Sequence, residues 1–382
     1  MKILFLVYHG FSEASGISKK IYAQVKGLRQ NGHEVHLCYY DFTSDGHRCR
    51  FVDGQVIADF GNGWRAALRQ RTDYGDVYDY CVSEGIGLVY ARSFQNATPW
   101  LVSLFARLRK KGIRAVTEIP TYPYDQEFVG FPFMARMGLR IDQLFRHRLS
   151  REMQAIVTFS DAEEIFGKRT IRISNGVDFD AIPLHCYQPS EDGAVHVLGV
   201  AEVHYWHGFD RLIAGLGEYR RRCPDGRRVV FHIVGGLGPL ERQDSVHAPG
   251  ILPLIERYQL QDDVVLHGQL FGGTLDEVFN QCLFAIGSLA RHRSGITVIK
   301  TLKNREYASR GIPFMYSEQD SDFDRQPYVL HVPADETPID VGQMLDFISH
   351  HHFEPQAIRN SIAHLSWKEQ MGKVIEGVDL QG

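Results

Sequence analysis

Nowhere in these 382 residues does an apolar run approach the ~20 needed for a membrane-spanning helix, so the chain reads as one that does not cross a bilayer. Cysteine is scarce. Cys38, Cys49, Cys81, Cys186, Cys223 and Cys282 are scattered, with no C-x-x-C pair and no metal-ligand spacing. That argues against a disulfide framework and fits a reducing cytoplasm. Net charge is nearly absent as well: a formal −4 leaves no basic excess for nucleic acid. There is no low-complexity tract, no short-period repeat and no G-x-G-x-x-G. The opening MKILFLV carries one lysine and an apolar run too short for a signal peptide, and reads as a first buried strand.

What is present is the composition of a globular protein, 44% apolar and 23% charged, long enough for two domains with separate cores. Residues 3–8 form a continuous apolar strand, followed by a loop, a helix over 17–30 and a second strand over 35–40. This is a Rossmann-type unit with Gly16 at the helix entrance, either as a ligand-approach point or as a simple tight turn. Further strand–helix units follow. One strand ends at Arg92, and another, over 113–118, empties into IPTYPYDQE. Ligands bind at the carboxyl ends of strands in open α/β sheets, which makes Arg92, Glu118, Tyr122, Tyr124 and Asp125 acceptor-side candidates.

Residues 132–152 predict a cationic helix with Arg136, Arg140, His147 and Arg151 as one stripe beside an apolar face of Met134, Met137, Ile141, Leu144 and Phe145. Such a stripe is either a solvated face or a seat on anionic lipid. Periodicity then lapses over 181–193, read as a linker between a domain of residues 1–180 and a second α/β series over 194–359. A terminal helix over about 360–382 is assigned back to the first domain.

Within the second series, TLKNREYASRGIPF (301–314) reads as a short helix with Lys303 and Glu306 on one face, Gly311 as its left-handed cap and Pro313 as its stop. The polar, glycine-containing loop SLARHRSGITVIK runs directly into it, the way a helix N-terminus is presented to an anion. Asp320-x-Asp322-x-Asp324 has the spelling of a metal motif but lies in a turn-like segment, and His350–His352 reads as a helix end. No metal or other cofactor is expected.

Several pieces in order resemble glycosyltransferase family 4. They are Asn175-Gly176-Val177-Asp178, the segment VAEVHYWHGFDRLI (200–213), FHIVGGLG (231–238) containing Gly235 and Gly236, LHGQ (266–269) followed by Leu270, and Ser366-Trp367. The resemblance covers nearly the whole chain and implies a GT-B fold, two Rossmann-like domains facing each other across a cleft. It also implies a retaining, metal-independent, hexosyltransferase-type enzyme using a nucleotide sugar, most simply a UDP-sugar.

Glu306 is implied to hold the ribose, since a carboxylate accepts from two hydroxyls at once. The family's first donor glutamate falls at Val298, and its usual arginine and lysine fall at Glu202 and His207. Diphosphate charge must then be met by Lys303, Lys300 and Arg305, with Ser294, Gly295, Ile296 and Thr297 supplying the loop. Glu118 stands where the family often has a histidine and is the candidate base.

The implied acceptor is a glycan or polyprenyl-linked glycan in surface or exopolysaccharide synthesis, handled at the inner face of the membrane. The alternatives are a GT-B sugar-nucleotide epimerase and a non-catalytic partner subunit.

Overall fold

The computed structural model describes residues 1–12, 15–93, 96–125, 133–241 and 248–380. Of the expected features, the acceptor loop past Asp125, Pro132 at the start of the cationic helix and the last two residues of the terminal helix lie outside them.

The chain divides into two α/β units, Met1–Gly176 with Leu365–Gly382, and Val177–His364. In the first, the strand order is Gln55–Gly61, Arg48–Val52, Glu34–Phe42, Lys2–Leu6, Leu88–Arg92, Arg114–Ile119, Ala155–Thr158, Lys168–Arg172, Glu164–Ile165. The middle of this sheet is parallel and its strands are almost wholly buried, as expected where helices cover both faces. The antiparallel hairpin at one edge was not anticipated. Its turn is Asp53-Gly54, both at positive φ (47° and 85°), a combination that fits a two-residue hairpin between twisted strands.

The terminal helix Trp367–Asp379 belongs to this unit. Ser366 caps it by accepting from the Glu369 amide, and Trp367, Met371, Val374 and Val378 pack among Phe5, Ile21 and Val25.

The second unit has a fully parallel sheet in the order Val264–Gly268, Val229–Val234, Val195–Val200, Phe284–Ile286, Phe314–Tyr316, Val329–His331. Residues 177–193 are not a free linker. The His185 amide donates to Arg310 O (2.7 Å), the Gln188 amide to Asn280 O (2.7 Å) and the Cys186 amide to Asn280 Oδ1 (3.0 Å), so the segment is laced onto this unit. The boundary falls at Gly176/Val177 because hydrogen bonding, not helical or strand periodicity, holds the stretch.

The strand order fixes where a ligand belongs. Strand Val195–Val200 connects forward to its neighbour on one side, and the chain then returns to Phe284–Ile286 on the other. The crevice of this unit therefore lies past the carboxyl ends of these two strands.

Candidate functional site

The loops at that crevice are zipped together through their backbones. Val203 N donates to Gly236 O (2.7 Å), Leu289 N to His207 O (2.8 Å), Ser317 N to Ser288 O (2.9 Å) and Gln319 N to Thr297 O (2.7 Å). Gly235, at φ 126°, is required here: a Cβ would stand 1.8 Å from Ala201 O. Arg293 straps the loop from below, donating to Asp210, Glu336 and the Tyr205 carbonyl.

The helix Leu302–Arg310 enters this loop cluster with its N-terminus and ends at Gly311 in the left-handed region (φ 78°), as the sequence predicted. Its first turn supplies Lys303. The stem of Lys303 is half-buried, while its ammonium is enclosed, makes no hydrogen bond among the described residues and lies 5.9 Å from the Phe209 ring. Burial and the neighbouring Arg291 guanidinium pull its proton affinity below that of an ordinary lysine. Facing it are Arg291, which lies 5.3 Å from the Trp206 ring, and His207.

His207 is neutral here: burial first, then Lys303 and Arg291, hold its pKa well below the usual histidine value. Its Nδ1 accepts the His204 amide (2.9 Å), so the ring proton sits on Nε2 and can be donated. The fourth group is Glu318, which no sequence motif marks. It is 2% exposed, and among the described residues neither carboxylate oxygen meets another residue's donor. Burial pushes its proton affinity up, opposed by Arg291 and Lys303. Asn304, fully buried beside Gly287, and the buried Ser288 hydroxyl are likewise without hydrogen-bond partners. Only its place two residues past the strand Phe314–Tyr316 puts Glu318 at the crevice-forming edge.

The remaining sequence candidates separate into groups. Ser294, Gly295, Ile296, Thr297 and Lys300 line the loop ahead of the helix, although the Gly295 amide is already donated to His292 O (3.0 Å) and is not available to an anion. Val298 is 51% exposed. Gly236 lies beside the Glu202 carboxylate, and Leu270 follows the strand Val264–Gly268 at half-burial. Glu306 lies one turn along the helix, and its Oε1 accepts from both Nε and Nη2 of Arg310 (3.1 and 3.0 Å). Arg305 does not join the set. It is 1% exposed and buried against Asp320 and Asp322, so the Asp-x-Asp spelling serves an internal ion pair. Asp324 accepts instead from Tyr316 (2.9 Å).

In the first unit, Gly16 opens the helix Gly16–Gln30 behind the Ser15 cap, and no described residue comes within 4 Å of where a Cβ would stand on it. Glu118 is fully buried. It accepts from Tyr90 (2.5 Å) and Gln24 (2.6 Å) and pairs with Lys20 (3.3 Å) and Arg92 (3.4 Å). Burial alone would raise its pKa, but Lys20 and Arg92 outweigh burial and lower it, the opposite of what a general base needs. Tyr124 donates to Asp142 (2.6 Å) and Asp125 holds Arg146 (2.8 Å), so both shape the loop from within; Tyr122 packs edge-on to Phe166.

No family model matches the chain, and no curated protein matches it in sequence. Its fold is another matter. The structure is similar to a glycosyltransferase involved in avilamycin A biosynthesis (12% identity, 99% of this chain and 97% of that one, TM-score 0.57). It is also similar to sucrose-phosphate synthase from Thermosynechococcus elongatus (14%, 100% and 94%, 0.52). A third similar structure is UDP-GlcNAc 2-epimerase from Neisseria meningitidis bound to UDP-GlcNAc (12%, 100% and 100%, 0.52). The chain has the GT-B fold: two parallel-sheet α/β units in one polypeptide.

Proposed function

We propose that this protein is a retaining glycosyltransferase that moves a sugar from a nucleotide sugar, most simply a UDP-sugar, to a glycan or lipid-linked glycan acceptor in surface or exopolysaccharide synthesis. The observation that carries the reading is Lys303: an enclosed ammonium, without a hydrogen-bond partner, on the first turn of a helix at the crevice-forming edge of a GT-B unit. Lys303, with Arg291, Lys300 and the helix N-terminus, supplies the positive field that a departing diphosphate needs. Glu306, held from one side by Arg310, offers Oε2 to the ribose hydroxyls. The leaving phosphate takes the acceptor's proton, so no protein nucleophile is assigned.

The test is a panel of UDP-, GDP- and ADP-sugars, read by thermal shift and by product formation, with and without EDTA. Stabilisation by one donor together with glycosyl transfer is the expected outcome, unaffected by EDTA. Inversion or epimerisation of the sugar without an acceptor would replace this reading with an epimerase, and failure of every donor to stabilise the protein would remove the donor site altogether.

The helix Phe133–Glu152 supports action at a membrane surface. Arg136, Arg140, His147 and Arg151 are exposed, and Phe133 (68%), Met134 (72%) and Leu144 (72%) are exposed beside them. Met134, Met137, Ile141 and Leu144 are exposed together with the cations while Phe145 packs against the core, the pattern of a helix lying in a headgroup layer. No helix among the described residues is long and apolar enough to cross a membrane. Sedimentation with phosphatidylglycerol vesicles should recover the protein, and Leu144→Glu should release it. Equal recovery on neutral phosphatidylcholine would count against an electrostatic seat.

A further inference from the structure

Resting on the donor reading above, we infer that Glu318, Ser288 and Asn304 form the hydroxyl-recognition subsite that selects the donor's sugar. The segments that carry them meet at one end of the sheet. The Ser317 amide donates to Ser288 O (2.9 Å), which joins the backbone next to Glu318 to Ser288, and Asn304 Oδ1 lies 3.0 Å from where a Cβ on Gly287, the residue before Ser288, would stand. All are at least nine-tenths buried: Ser288 and Asn304 at 0% exposure and Glu318 at 2%. Among the described residues, the side-chain polar atoms Ser288 Oγ, Asn304 Oδ1, Asn304 Nδ2, Glu318 Oε1 and Glu318 Oε2 have no hydrogen-bond partner from another residue. Buried polar groups are normally paired, so atoms like these at the ends of adjoining strands call for a ligand.

Their chemistry specifies the ligand. A carboxylate accepts only, an amide both donates and accepts, and a hydroxyl does either. The one class that satisfies all three is a neutral polyol. An anion would be repelled by Glu318, and a simple cation would be repelled by Lys303 and Arg291, which lie close enough to act on Glu318 electrostatically. The two halves of a nucleotide sugar then divide along the crevice, diphosphate toward Lys303 and the sugar ring toward Glu318. Glu318 thereby provides, from a different strand end, a carboxylate in a crevice where Val298 contributes none; the Val298–Gln319 backbone bridge brings the two segments together.

The experiment compares affinities of UDP, GDP and ADP with those of the corresponding hexose donors and of donor analogues lacking one ring hydroxyl. In the wild-type protein, the best nucleotide sugar should bind more tightly than its nucleoside diphosphate. In Glu318→Gln that excess, taken as the ratio of donor to diphosphate affinity within each protein, should fall about 10- to 100-fold, the range for a hydrogen bond to a charged group. A deoxy analogue that is penalised in the wild type should carry no further penalty in the variant. If Glu318→Gln retains the full excess, Glu318 is not a sugar ligand, and the donor site stands without this subsite. If neither diphosphates nor sugar donors bind the wild type, the donor reading itself falls. Should Glu318→Gln fail to fold by far-UV circular dichroism, Ser288→Ala is measured in the same way, and an unchanged excess there overturns the assignment.

Discussion

Replacing Lys303 with methionine is expected to lower turnover by about 10²-fold or more while leaving the protein as stable as the wild type or more so. The first half follows from electrostatics: a preorganised cation aimed at developing diphosphate charge typically contributes that much. The second follows from the sign of its pKa displacement. Lys303 has its proton affinity lowered by burial. A lysine with a folded pKa below its unfolded value of ~10.4 gives full stability only above that value and loses it as pH falls toward the folded pKa. At neutral pH the charge therefore costs stability, and an apolar side chain of similar length removes the cost. A surface lysine would not couple these opposite effects.

The pH profile supplies an independent reading. The free enzyme needs Lys303 charged, so kcat/KM should fall as pH rises well before ~10.4. Lys303→Arg, charged throughout the range, should flatten that limb. Unaltered turnover in Lys303→Met would remove the diphosphate assignment.

Much of this arrangement was legible because it is local. The helix over 302–310 is announced by its spacing, its glycine cap and its following proline, and the buried parallel strands by continuous apolar runs. What the sequence hid is set by long-range pairing. Arg305 and Lys303 sit two residues apart and look equally suited to phosphate, yet a helix turns them about 200° apart, and only the fold reveals that Asp320 and Asp322 take up Arg305. Glu318 carries no motif. It becomes a site residue only because Ser317 pairs with Ser288 across two strand ends. The segment 177–193 lacks periodicity for the same reason: its order comes from hydrogen bonds to Arg310 and Asn280, which no local pattern encodes. The Asp53-Gly54 hairpin, by contrast, was signalled locally by a turn dipeptide that was not read.

Glu118 is buried against Lys20, Arg92, Tyr90 and Gln24, and its replacement should produce the largest loss of stability. With Glu118→Gln, Lys20 and Arg92 would remain buried at 7% exposure each without their shared counter-charge. Breaking a buried ion pair from one side costs about 3–5 kcal/mol. The Lys20 ammonium would keep its position 3.7 Å from the Phe159 ring, which offsets part of that.

Linkage provides a second signature. Glu118 has a folded pKa below the ordinary glutamate value of ~4.3, so its contribution is full above that value and is lost as pH falls through the lowered folded pKa. Wild-type melting temperature should therefore drop in acid more steeply than that of the variant. Turnover per folded molecule, measured below the variant's melting temperature, should stay near wild type, because a carboxylate at 0% exposure does not reach an acceptor hydroxyl. An undiminished melting temperature with collapsed turnover would restore Glu118 as the base. The opposite pattern would place it where its contacts do, as the charge that closes the carboxyl edge of the first sheet around Lys20, Tyr90 and Arg92.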